Sequence, residues 1–126
     1  MNIVSVCIYL LFLNTLNLSS LRVSYVDAAT SEVSANAFYK TMEGVGESHD
    51  NTTFLAYKAA SIVLMAKYES GLISKTRLFN RGTGLLENII KKAPDNYEAR
   101  LIRLNIQDNV PWITGYTGAI KQDKAF

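Results

Sequence analysis

The stretch Leu78–Gln107, LFNRGTGLLENIIKKAPDNYEARLIRLNIQ, decides the fold. At 100° per residue, Leu78, Phe79, Gly82, Leu85, Leu86, Ile89, Ile90 and Ala93 fall on one face of roughly 140°, the pattern of an amphipathic helix. Asn80, Arg81, Thr83, Glu87, Asn88, Lys91 and Lys92 cover the other side. Gly82 lies inside the apolar face, where it costs about 1 kcal/mol of helix propensity. Its position therefore predicts the close approach of a neighbouring backbone. Lys91 and Lys92 complement the carbonyl end of the helix dipole. Pro94 cannot continue the helix and biases Ala93 away from helical dihedrals.

Across the Pro-Asp-Asn turn the pattern predicts a second helix. Asp95 is the expected N-cap, with Glu98 three residues on as the reciprocal partner of a capping box. Leu101 and Leu104 form one apolar stripe of this helix; Ala99, Ile102 and Ile106 form another. Two stripes predict a helix packed between two neighbours. Glu98, Asn105 and Asn109 run between the stripes on one side, and Arg100, Arg103 and Gln107 on the other.

The segment GTGLLENIIKKAPDNYEARLIRLNI resembles the junction between consecutive tetratricopeptide repeats: a small residue, an aliphatic run, Pro-Asp-Asn, then Glu-Ala. The likeness covers about one repeat, and the repeat's aromatic and Gly-Tyr positions are not evident in the preceding helix. From Tyr57 to Lys124 the chain is also similar to a family of small, signal-bearing helical proteins of Bacteroidota. That likeness rests on YKAA (Tyr57–Ala60), LFNRG (Leu78–Gly82), LLENII, PDNYEARLIRLNIQDN, the Pro111 loop, and Gly115 with Tyr116. It implies a helical fold and brings no activity with it.

With 126 residues the chain holds one domain. A formal charge of +2, spread along the chain, does not suit a nucleic-acid surface. Met1–Leu18 is an apolar run followed by Ser19 and Ser20, which reads as a secretory signal peptide over 1–19. No Lys or Arg precedes that run, so an uncleaved N-terminal anchor is the alternative, and the only membrane contact expected is through this segment. Residues 20–126 are then a single exported domain, periplasmic or held in the cell envelope. Cys7, the only cysteine, lies inside the run and ahead of where a lipid-attachment cysteine belongs. The remainder has no thiol for a disulfide, a metal site or a nucleophile.

Along that domain, Leu21–Ala29 predicts a short helix with Leu21, Tyr25 and Ala28 or Ala29 on one face. Thr30 or Ser31 caps a second helix to about Glu43 that turns Val33, Ala37 and Phe38 inward, with Tyr39 or Met42 alongside. Asn51-Thr52-Thr53 fits a glycosylation acceptor and equally a helix N-cap, the cap needing nothing extra. Phe54–Tyr68 is the most apolar segment after the leader and is too short and too interrupted by Lys58 for a membrane span. It is the expected central helix. Gly71 ends it, and Ser74 is the expected cap of the next helix. Thr117–Phe126 starts a further helix and stops on an apolar residue, as a continuing or shortened chain would.

The whole predicts an all-α, compact bundle of five to six helices in antiparallel pairs, tetratricopeptide-repeat-like in its hairpin. Solenoid repeats need about three units, so this chain must close on itself or dock on a partner.

Catalytic equipment is sparse. His49 is the sole histidine, in a polar loop without ligand spacing. No Gly-rich phosphate loop and no acid/base carboxylate pair stands out. The sequence thus points to no enzyme, no metal and no cofactor. Two features remain for binding. Pro111, Trp112, Ile113, Gly115 and Tyr116 form an aromatic loop, either a plug for the bundle end or a recognition surface. Arg100, Arg103 and Gln107, with Arg77, Arg81 or Lys91 nearby, form either a solvated face or a surface for an acidic partner. The leading expectation is a non-catalytic protein-interaction module of the cell envelope, its protein partner unknown. The alternative is a small-ligand or lipid carrier with an apolar cleft between Phe54–Tyr68 and the Trp112 loop.

Overall fold

The structure, a computed structural model, describes residues 17–109. They form five α-helices packed in a bundle: α1 (Leu18–Ala28), α2 (Glu32–Glu43), α3 (Thr52–Tyr68), α4 (Leu72–Lys92) and α5 (Tyr97–Asn109). Among the described residues there is no strand. The aromatic loop with Trp112 and Tyr116, the expected sixth helix and most of the expected leader lie outside them.

Side-chain chemistry sets most boundaries. Asn17 and Ser20 cap α1 reciprocally, Asn17 Oδ1 accepting from Ser20 N at 2.9 Å and Ser20 Oγ from Asn17 N at 3.2 Å. The helix therefore begins at Leu18, three residues before the sequence predicts, and the expected 1–19 boundary falls in its first turn. Ser31 caps α2, as expected. Asn51 caps α3 by accepting from the backbone of Thr53 and Phe54.

Two expected caps move. Gly71, not Ser74, is the N-cap of α4, so that helix starts at Leu72 and runs 21 residues. Leu72 and Ile73 are exposed there and supply no periodic signal. At α5 the cap is Asn96, not Asp95: Asn96 Oδ1 accepts from Ala99 N at 3.0 Å. The Asn96 amide also donates to Thr52 and Thr53 Oγ1 at 2.8 and 3.0 Å, pinning the start of α5 to the start of α3. Glu98 is thereby released from capping.

α3 is the central helix, and it touches all four others. Every residue from Leu55 to Val63 is buried. Even Lys58 is covered, its Nζ donating to Met42 O at 3.1 Å in the last turn of α2. Met42 O also accepts from Val45 N at 3.0 Å, and the ammonium complements the carbonyl end of the α2 dipole.

The most extensive contact joins α3 to α4. It turns on Gly82: a Cβ built there would stand 2.6 Å from Val63 Cγ2 and 2.9 Å from Ala59 O. Only a residue without a side chain fits, which is the backbone approach that the apolar face predicts. Phe38, Leu21, Met42, Ile62 and Leu86 are the largest fully buried apolar side chains, each contributing about 1.5–3 kcal/mol by leaving water.

In α2 the inward face is Ala35, Phe38 and Met42. Val33, expected inside, is 81% exposed, and Ala37 is exposed too. The cause is phase: once Phe38 is fixed, the 3.6-residue period selects positions 35 and 42 and turns 33 to solvent.

Candidate functional site

Two polar constellations join the helices, and they differ in kind. The first fastens α1 to α3 and α5. Arg22 donates from Nε and Nη2 to the two carboxylate oxygens of Glu98 at 2.7 and 3.0 Å. The Tyr57 hydroxyl donates to Glu98 Oε1. Tyr25 donates from its hydroxyl to Asn105 Oδ1 at 2.8 Å and packs its ring edge-on to Tyr57 and stacked on Phe38.

The electrostatics follow from these contacts. Hydrogen bonds from Arg22, and secondarily from Tyr57, hold the Glu98 carboxyl below the ordinary carboxylate range against the opposing effect of burial. Burial, reinforced by the Glu98 carboxylate, pushes the Tyr57 phenol up. Burial alone pushes Tyr25 up to about 12. Each group here is held by another within the network, so the chemistry is that of a clasp.

The second constellation contains two of the sequence-predicted binding residues. The Pro94 turn joins α4 to α5 and brings Glu87 opposite Arg103. Arg103 Nη1 donates to Glu87 Oε1 and Oε2 at 3.1 and 2.9 Å. Arg100 Nε donates to Pro94 O at 2.8 Å, the carbonyl just past the end of α4. Between the helices lies an open cleft of about 300 Å³ lined by Glu87, Asn88, Ile90, Lys91, Arg100 and Arg103.

Arg100, Arg103 and Gln107 do not form a solvated face. They are buried, at 9%, 4% and 3% exposure. Arginine stems bury readily along apolar surface while the guanidinium keeps its polar partners, so the stripe folds in beside Ala99, Ile102 and Ile106. Among the described residues the other apolar stripe is the more open one, with Leu101 44% exposed and Leu104 half-buried. Gln107 stands apart from the cleft lining, and its buried Oε1 has no hydrogen-bond partner among the described residues. Of the three further basic residues, Lys91 reaches the cleft, Arg81 pairs with Glu47 at 3.5 Å on the surface, and Arg77 is exposed.

Sequence reasoning did not single out Glu87 and Asn88. A hairpin signal was present: Glu87 precedes Pro94 by seven residues and Arg103 follows it by nine, which in an antiparallel pair puts them face to face.

His49 lies in the α2–α3 loop, its Nδ1 accepting from Asn51 N at 3.0 Å and its ring stacked on Phe54. Among the described residues no group of three or more His, Cys, Asp or Glu is placed to hold a metal ion, and no helix is long and apolar enough to cross a membrane. Comparison with known protein families, with curated proteins and with solved structures gives no match.

Proposed function

We propose that this chain is a non-catalytic protein-interaction module of the cell envelope, exported by its N-terminal segment, with α4–α5 as its tetratricopeptide-repeat-like hairpin. One observation carries the reading: two arginines, nine-tenths buried or more, line a cleft open to solvent between the hairpin's helices. Arginine is favoured where protein surfaces recognise one another, because its planar fork presents several donors at once. The groups with displaced ionisation also support it. Arg22, Tyr25, Tyr57 and Glu98 are tied up in the clasp that fastens α1 to α3 and α5.

Site-specific photo-crosslinking in native envelopes tests the reading. A crosslinker at Asn88, on the cleft rim, should yield a discrete protein adduct, whereas one at exposed Asn36 of α2 should not. Absence of any adduct at Asn88, or the same adducts from both sites, would contradict it.

A further inference from the structure

We propose that the α4–α5 cleft recognises the carboxylate side chains of an acidic partner segment, and that Glu87 stands where a partner's carboxylate docks. The proposal rests on the interaction-module reading and names the chemistry of its partner. Four observations lead to it. First, Arg100 and Arg103 are buried yet line the cleft, with the exposed ammonium-bearing Lys91 on its rim. Charges in such a recess act through a lower effective dielectric than on an open surface and attract an anion more strongly.

Second, hydrogen bonds between a guanidinium and a carboxylate are among the strong ones, and Arg103 Nη1 already donates to both oxygens of one carboxylate. Third, the Glu87 side chain remains 44% exposed while Arg103's is 5% exposed. The carboxylate end of the pair is the one that meets water, so a carboxylate arriving from solvent reaches the pair from that side. Fourth, a recess of about 300 Å³ floored by buried Ile90 lies at the small end of ligand sites. It suits one or two acidic side chains.

Fluorescence anisotropy with a dye-labelled hexaglutamate peptide tests this on the full chain, with hexaglutamine and inorganic phosphate as competitors. Saturable binding should appear and be displaced by neither competitor. Lys91→Glu should weaken it about tenfold, the scale of one hydrogen bond to a charged group, while the protein stays folded and loses only the modest stabilisation of a charge at the end of α4. Glu87→Gln should tighten it severalfold by removing the resident carboxylate. Lys75→Glu, on an exposed part of α4 away from the cleft, should change it less than twofold.

The proposal is overturned if binding does not saturate, if Lys75→Glu weakens it as much as Lys91→Glu, if Glu87→Gln weakens it, or if phosphate displaces the peptide. An adduct at Asn88 that persists undiminished in the Lys91→Glu variant would leave the interaction-module reading standing while removing the carboxylate site.

Discussion

Arg103 holds Glu87 through a single guanidinium nitrogen, Nη1, at 3.1 and 2.9 Å from the two carboxylate oxygens, and the two ends of this pair differ nearly ninefold in side-chain exposure. The pair closes the α4–α5 hairpin from the inside and leaves its anionic half facing the cleft. The same bond that staples the two helices is the one we propose a partner's carboxylate would take over.

The approach of α3 and α4 at Gly82 gives the sharpest stability contrast. Gly82→Ala gains about 1 kcal/mol of helix propensity, yet its methyl would meet Val63 Cγ2 and the Ala59 carbonyl inside 3 Å. Overpacking of this kind costs about 1–3 kcal/mol, so the variant should be destabilised. Gly84→Ala has nothing within 4 Å of its new methyl and should be stabilised by about 0.5–1 kcal/mol. Urea denaturation of the two variants checks both signs.

The cap of α5 separates Asn96 from its neighbour. Asn96→Ala removes the bond to Ala99 N and those to Thr52 and Thr53, and should cost at least about 1 kcal/mol. Asp95→Ala should lie within about 0.5 kcal/mol of the parent, as exposed substitutions usually do. Equal losses in a thermal melt would return the cap to Asp95.

Acid should loosen the clasp on α1. The Glu98 carboxyl titrates lower in the fold than its ordinary value, through Arg22 and Tyr57. Its contribution to stability is therefore complete above the unfolded value, about 4.3, and is lost as pH falls through the folded one. The melting temperature should drop steeply below about pH 4.3. Glu98→Gln should start lower at neutral pH and show a shallower drop.

Alkali should reveal the buried tyrosines. Tyr25 is pushed up to about 12 and Tyr57 is raised further still. Both favour the neutral phenol in the fold, so their share of stability is present below the ordinary value near 10 and is lost above it. In an ultraviolet tyrosinate titration, Tyr25→Phe and Tyr57→Phe should each remove part of the absorbance rise that accompanies unfolding in alkali.

Much of this architecture is legible in the residues. The apolar face of α4, its glycine and the caps at Ser31 and Asn51 follow from periodicity and local hydrogen bonding, which act over one or two turns. The central place of α3 follows from its apolar run. What escapes is decided between helices. Asn96 displaces Asp95 as a cap because only Asn96 also reaches Thr52 and Thr53 across the bundle. Glu98 reads as half of a capping box until Arg22, 76 residues away, claims it.

Within the candidate site, Arg100 and Arg103 were visible as a polar stripe, but a helical wheel assigns charge to solvent. Their burial depends on Glu87 and the Pro94 carbonyl on the far side of the turn.

The most direct measurement of the central claim is a chemical-shift titration of isotope-labelled protein with a short glutamate-rich peptide. Backbone amides of Glu87, Asn88 and Lys91 and the side-chain Nε–H of Arg100 and Arg103 should move together and saturate at one peptide per chain. Shifts that spread over the exposed lysines, or that gather on α1 and α2 while these five signals stay fixed, would contradict it.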